Sequence, residues 1–134
     1  MSADFADTNV VLYLLGQGAK ADRAEEILRQ GPRISVQVLN ETLVNCRRKA
    51  GLSWADAGAF LAGIETLCPV EPLTPQTHHV GRALAERYQL SVYDAMIVAS
   101  ALIAGCTRLW SEDMHDGLLI EDQLRIVNPF AGCA

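Results

Sequence analysis

At 134 residues the chain has the size of one ordinary domain, and a composition half apolar and one fifth charged lets it bury a real core, which excludes bulk disorder. Eleven Lys plus Arg against sixteen Asp plus Glu leave a formal charge of -5, which excludes a generally basic surface for polyanions. No apolar run reaches the roughly 18 residues of a membrane span, and Met1-Ser2-Ala3-Asp4 lacks the basic start and apolar stretch of a secretory signal; the expectation is a cytoplasmic chain with no membrane anchor. Nine of the eleven cations are Arg, which suits bidentate phosphate contacts and ordinary surface ion pairs alike. Cys46, Cys68, Cys106 and Cys133 form no C-x-x-C pair and read as buried, reduced thiols.

Hydrophobic periodicity alternates short strands with longer helices. Ala3-Asp4-Phe5-Ala6 is a first strand, short and polar for a central position. A helix from about Asn9 to Leu15 stops at Gly16-Gln17-Gly18, and a second, Asp22 to Gln30, ends at Gly31-Pro32. Arg33–Val36 is a short strand before a helix with Val38, Leu39, Thr42, Leu43 and Cys46 inward and Arg47, Arg48 and Lys49 at its C-terminal end. Ser53 caps a further helix with Trp54, Ala57, Gly58, Leu61 and Ile64 at helical spacing. Pro69–Pro72 allows a brief edge strand, then a helix from about Pro75 to Tyr88 carries Val80, Ala83, Leu84 and Tyr88 on one stripe. Val92 to Ala104 is apolar nearly all round, the pattern of a central buried helix; Thr107–Trp110 and Leu124–Val127 are the last strands. The alternation implies right-handed crossovers and a mainly parallel sheet covered on both faces, a three-layer α/β/α domain.

Four acids stand out once the elements are placed. Asp7 follows the first strand, Glu41 lies one turn into the third helix, Asp94 opens the buried helix, and Asp113 follows the strand ending at Trp110. Loops at the carboxyl ends of parallel strands form the binding crevice of such sheets, so these segments can converge there. Each acid also has an ordinary reading: helix cap for Asp7, N-terminal charge for Asp94, turn for Asp113, solvated surface for Glu41. Together they are harder to dismiss. Glu41 lies within a face containing Val38 and Val44, where an unpaired carboxylate is costly, and no Lys cluster is available to neutralise the group. Carboxylate oxygens suit Mg²⁺ or Mn²⁺.

Asp7-Thr8-Asn9 after a first strand, Ser35 to Glu41 at a strand-to-helix junction, Leu90-Ser91-Val92-Tyr93-Asp94-Ala95, Ser111-Glu112-Asp113 and the closing Ile126-Val127-Asn128-Pro129-Phe130 occur in order along the whole chain. This set resembles a PIN domain, and within that family it is similar to the VapC-type toxins of bacterial toxin–antitoxin pairs. The resemblance implies one PIN-like nuclease domain over residues 1–134 and a Mg²⁺-dependent endoribonuclease, with Mn²⁺ as a substitute, acting on a structured RNA such as tRNA or rRNA. It implies that Asp7, Glu41, Asp94 and Asp113 are catalytic and hold the metal, that Thr8, Asn9 and Ser111 orient the acids or the substrate, and that a homodimer is inhibited by a small cognate antitoxin. Asp116, three residues after Asp113, is a rival for the fourth ligand position.

The weaker candidates divide by chemistry. Arg47, Arg48 and Lys49 form the one cationic cluster and are the first guess for RNA phosphate contacts. Trp54, Tyr93 and Trp110 can stack bases, but the core is the preferred reading for all three. His115 reads as a solvated loop residue, because hard cations favour oxygen, and His78-His79 as structural. A phosphoacceptor receiver domain needs an acceptor Asp after a middle strand and a late Lys; Asp56 falls inside a helix and no Lys follows Lys49. A catalytically silent PIN-like binding module is expected to have lost acids, and all four are present.

Overall fold

The computed structural model describes residues 3–133; Met1, Ser2 and Ala134, which the expected 1–134 domain includes, lie outside the described residues. In chain order the elements are β1 (Asp4–Ala6), α1 (Thr8–Leu12) running into a 3-10 turn at Tyr13–Leu15, α2 (Ala19–Arg29), β2 (Ile34–Ser35), α3 (Val36–Arg48), α4 (Trp54–Leu67), β3 (Val70–Glu71), α5 (Pro75–Tyr88), α6 (Val92–Ile103), β4 (Arg108–Trp110), β5 (Leu119–Ile120) and β6 (Leu124–Val127). β1, β4 and β6 are parallel neighbours, with β5 antiparallel on β6. β2 and β3 pair in parallel and join the other side of β1 through a bridge between Phe5 and Arg33, where Ala6 N donates to Arg33 O at 2.9 Å and Arg33 N to Asp4 O at 3.0 Å. The strands therefore lie in the spatial order β3-β2-β1-β4-β6-β5. The chain steps outward from β1 to β2 and β3, then returns across β1 to β4, so the switch point of the sheet lies between β1 and β4.

The helices pack in two groups: α1 meets α2 and α3, α3 meets α4, and α5 lies along α6, while α3 also reaches α6. Gly81 on α5 makes one close approach possible, because a Cβ there would come within 2.7 Å of Met96 Sδ on α6. Phe5, Val10, Val11, Ile27, Ile97, Leu109 and Ile126 are among the fully enclosed core side chains. No helix among the described residues is long and apolar enough to cross a membrane.

Several expectations change in detail. The polarity of β1 is explained by its neighbour: Arg108 on β4 holds Asp4 with two bonds, Nε to Oδ1 at 3.0 Å and Nη2 to Oδ2 at 2.7 Å. α2 begins at Ala19 instead of Asp22, with Gly18 as its cap at φ 103. Val36 is helical because the Ser35 hydroxyl accepts from Val38 N and starts α3 there. Two inward faces change: Val44 is exposed, and on α5 Leu84 is enclosed with Val80 and Tyr88 packed against the core as expected, joined by Thr77 and Gly81, while Ala83 is outside. α6 is enclosed along its middle, yet Val92, Tyr93 and Ile103 at its ends are exposed. β5 was not expected. Its turn to β6 places Glu121 and Asp122 at positive φ without a glycine, held from outside by Tyr88 Oη, which accepts from Glu121 N at 3.0 Å, and by Arg87 on the Glu121 carboxylate. Cys46, Cys68 and Cys106 are buried and all four cysteines are free; burial pushes the thiols of Cys68 and Cys106 up to about 11.

Candidate active site

The site starts where β1 stops. Asp7 N still donates to Trp110 O on β4 at 3.0 Å, so the backbone of Asp7 is fixed by the sheet, and its extended conformation lets the side chain cap α1. Asp7 Oδ1 accepts from Thr8 N at 2.7 Å and Oδ2 from the Ser111 hydroxyl at 2.8 Å. Ser111 is itself enclosed and accepts from Met114 N, which turns the loop after β4 back on itself. With 4 % of its surface exposed, Asp7 is chiefly affected by burial, which together with the charges of Asp94 and Glu41 outweighs these two hydrogen bonds and pushes its carboxyl up to about 6.

The other acids come from three more segments. Glu41 lies on α3 beside Thr8: Thr8 Oγ1 donates to its Oε1 at 3.1 Å, and Gln37, one turn earlier on the same helix, donates to Oε2 at 2.8 Å. Asp94 sits in the first turn of α6, started by the Ser91 cap; burial first, then the charges of Glu41 and Asp113, raise its pKa. Asp113 accepts a short hydrogen bond from the Asn9 amide, one residue beyond Thr8. The triplet Asp7-Thr8-Asn9 thus serves three different acids: its own, Glu41 and Asp113. Among the described residues none of the four is ion-paired with Lys or Arg.

A family model for the PIN domain matches residues 5–116, the span that carries all four acids. The chain belongs to the PIN-domain family. Solved structures with the same fold include a toxin–antitoxin complex from Klebsiella pneumoniae, with a TM-score of 0.72 at 21% identity over 94% of this chain and 97% of that one. They also include Mycobacterium tuberculosis VapC20, described as a sarcin–ricin loop cleaving toxin, with a TM-score of 0.66 at 23% identity over 82% and 89%. A third is VapBC2 from Rickettsia felis bound to a DNA fragment from its promoter, with a TM-score of 0.67 at 13% identity over 93% and 98%. Comparison with curated proteins finds no significant match.

On this PIN scaffold Asp116 has other employment. Its Oδ1 accepts from Asn128 N at 2.8 Å and ties the loop to the C-terminal turn, and it is not among the charges that raise Asp7 or Asp94. The basic cluster divides as well. Arg47 donates to Leu52 O at 2.7 Å and lies over the Trp54 ring, whereas Arg48 and Lys49 border two grooves that flank α3. One groove, of about 430 Å³, is lined by Asn9, Tyr13, Asn45 and Lys49 among others; the second, of about 440 Å³, by Gln37, Asn40, Glu41, Asn45, Arg48 and Tyr93 among others. Trp54 and Tyr93 are each 66 % exposed, against the expected core role, while Trp110 is enclosed under Arg108. His78, His79 and His115 are exposed. Sequence reasoning did not single out Gln37, Tyr13, Lys20 or the role of Glu112; Gln37 at four residues before Glu41 was the one spacing that could have been noticed.

The four acids suit a hard divalent cation by donor chemistry and by charge. All the ligand atoms on offer are carboxylate oxygens, and the raised pKa values of Asp7 and Asp94 record mutual repulsion and desolvation that a cation would relieve. Among the described residues no three His, Cys, Asp or Glu side chains are already gathered closely enough to hold an ion. The acids still act on one another's charge, Asp94 and Glu41 on Asp7 and Glu41 and Asp113 on Asp94, and they are steered individually by Ser111, Thr8, Gln37 and Asn9.

Proposed function

We propose that this PIN-domain protein is a Mg²⁺-dependent endoribonuclease toxin, one nuclease domain over residues 1–134, acting in the cytoplasm as a homodimer and neutralised by a small cognate antitoxin. The observation that carries the reading is the set of four carboxylates at the switch point of the sheet, two of them with raised pKa and none ion-paired among the described residues. The toxin–antitoxin character of the structural neighbours, one of them a sarcin–ricin loop cleaving toxin, supports the class of activity and a structured RNA as substrate.

A divalent cation held by Asp7, Glu41, Asp94 and Asp113 would supply the positive charge that makes water acidic and stabilises phosphoryl oxygens. The chain's own residues do the rest. Asp7 is anchored through both oxygens and fixes the floor of the site. Asp94 is half-buried in the first turn of α6, beside the charges of Glu41 and Asp113, and turns its carboxylate to the same cation. Arg48 and Lys49, on the two grooves beside α3, hold flanking phosphates, and Tyr93 offers an exposed face for an unpaired base. With water as nucleophile, in place of the ribose 2′-hydroxyl, the products carry 5′-phosphate and 3′-hydroxyl ends. An antitoxin that places an Arg or an adjoining apolar segment at the mouth of the acidic pocket would block it by charge complementarity.

The test is sequencing of RNA ends in cells expressing the wild type or Asp94→Asn. New ends at discrete sites with the wild type alone support the reading. Identical RNA in both cultures supports instead a PIN fold used only for binding.

A further inference from the structure

Beside the four acids of the site and Asp116, one more carboxylate at this end of the molecule is differently employed. Glu112 lies between Ser111 and Asp113 on the loop after β4. Its Oε2 accepts from Lys20 Nζ at 2.7 Å and its Oε1 from the Tyr13 hydroxyl at 2.5 Å, while Lys20 also donates to Tyr13 Oη at 3.2 Å. The Lys20 ammonium already neutralises this carboxylate, which sets Glu112 apart from the four acids whose donors are uncharged, so Glu112 is not placed to serve as a cation ligand. The donors come from the 3-10 turn and from the second residue of α2.

Three consecutive side chains of one loop are therefore tied to four residues of the segment 7–20: Ser111 to Asp7, Glu112 to Tyr13 and Lys20, Asp113 to Asn9. β4 ends at Trp110, and Asp113 is exposed, so the sheet alone does not hold the Asp113 carboxylate. The middle tie is the ion pair. It crosses 92 residues of chain from Lys20 to Glu112 and lies between two ties whose donors, the Ser111 hydroxyl and the Asn9 amide, carry no charge. A bond network of this kind fixes the reach of the residue next to it, and ligand geometry must be kept within roughly half an ångström to be useful.

We propose that Glu112, clamped by Lys20 and Tyr13, is a positioning residue for Asp113, and that the clamp sets the affinity of the acidic site for a divalent cation. This rests on the reading that the four acids bind such a cation. A plain surface ion pair between side chains 36% and 21% exposed would add a little stability and nothing else.

The experiment is Mn²⁺ titration of the purified, RNA-free protein, followed by the electron paramagnetic resonance of free Mn²⁺, for the wild type, Glu112→Gln, Lys20→Met, Lys20→Arg and the double variant Lys20→Met with Glu112→Gln. Melting curves in EDTA identify any variant that fails to fold. The clamp predicts that Glu112→Gln and Lys20→Met each weaken Mn²⁺ binding by about 10-fold, the range seen when a ligand loses its supporting partner. The double variant should be no worse than the worse single one, and Lys20→Arg should recover most of the affinity. In RNA cleavage the same loss should move the Mg²⁺ concentration for half-maximal rate more than the rate at saturating Mg²⁺. Saturable binding by the wild type with unchanged affinity in folded Glu112→Gln and Lys20→Met overturns the clamp alone. Absence of saturable Mn²⁺ binding by the wild type overturns the cation site and the clamp with it.

Discussion

Two sets of acids share this domain and are treated in opposite ways. Asp4, Glu71 and Glu112 each face a cation: Arg108 at 2.7 Å, Arg33 at 2.6 Å and Lys20 at 2.7 Å. Asp7, Glu41, Asp94 and Asp113 receive only hydroxyls, amides and backbone N–H groups, from Thr8, Ser111, Gln37, Ser91 and Asn9. The effect on proton affinity follows. Burial alone would raise Glu112, but its bonds from Lys20 and Tyr13 win and its pKa is lowered, whereas burial and like charges leave Asp7 at about 6. Neutral donors orient a carboxylate without cancelling its charge; a guanidinium or ammonium cancels it. Acids of the first kind cost stability in the metal-free protein and retain the capacity to bind a cation, and acids of the second kind hold segments together.

The contrast breaks most visibly in activity. Asp94→Asn and Asp113→Ala should each lower RNA cleavage by at least about 10²–10³-fold, the usual loss when one preorganised electrostatic group is removed, with the circular dichroism of the fold retained. Initial rates at saturating Mg²⁺ measure this, and cleavage by either variant within a few-fold of wild type would place the two acids outside the chemistry.

Stability should move in opposite directions for the two sets. A carboxyl raised to about 6 from its ordinary 3.8 contributes stability that is present below about 3.8 and is lost as the pH rises through 6, on the order of 3 kcal/mol in all. Asp7→Asn removes that loss but sets an amide NH₂ against the Ser111 hydroxyl, so the net gain at pH 7.5 in EDTA should be about 1–2 kcal/mol, a few degrees in Tm. The advantage over the wild type should shrink as the pH is lowered through 6. In the paired set, Arg108→Met should instead destabilise by about 1 kcal/mol and leave cleavage unchanged, since it strips the bidentate partner from Asp4. Melting both variants from pH 4 to 8 sharpens the comparison.

The smallest effect is expected at Asp116. Its carboxylate is used on Asn128 N, so Asp116→Ala should cost about 0.5–1.5 kcal/mol and change the Mg²⁺ requirement by no more than a few-fold. A variant inactive at saturating Mg²⁺ would exchange the roles assigned to Asp113 and Asp116.

The legible parts of this molecule are those where a local rule and the global arrangement coincide. Ser53 caps its helix as its side chain dictates, and α5 spans the expected Pro75–Tyr88. Asp7, Asp94 and Asp113 were visible because each follows a strand or opens a helix, and Glu41 because it interrupts an apolar helix face. What escaped was held from a distance. The polarity of Asp4 made sense only with Arg108, more than a hundred residues away. β5 turns at Glu121 and Asp122, whose left-handed backbone is held by Tyr88 and Arg87 and carries no glycine signal. Trp54 and Tyr93 were assigned to the core by residue type, yet each sits at the exposed start of its helix. The Lys20–Tyr13–Glu112 network has no sequence spacing at all, because three segments meet only after the sheet is built.

The central claim is that the acids without a cationic partner are there for a divalent ion, and the proton on Asp7 reports on it directly. Carboxyl carbon NMR of Asp7 across pH 3 to 8 should give a midpoint of about 6 in EDTA, and at saturating Mg²⁺ the midpoint should fall below the ordinary 3.8. An Asp7 midpoint that stays where it was when Mg²⁺ is added would contradict the account.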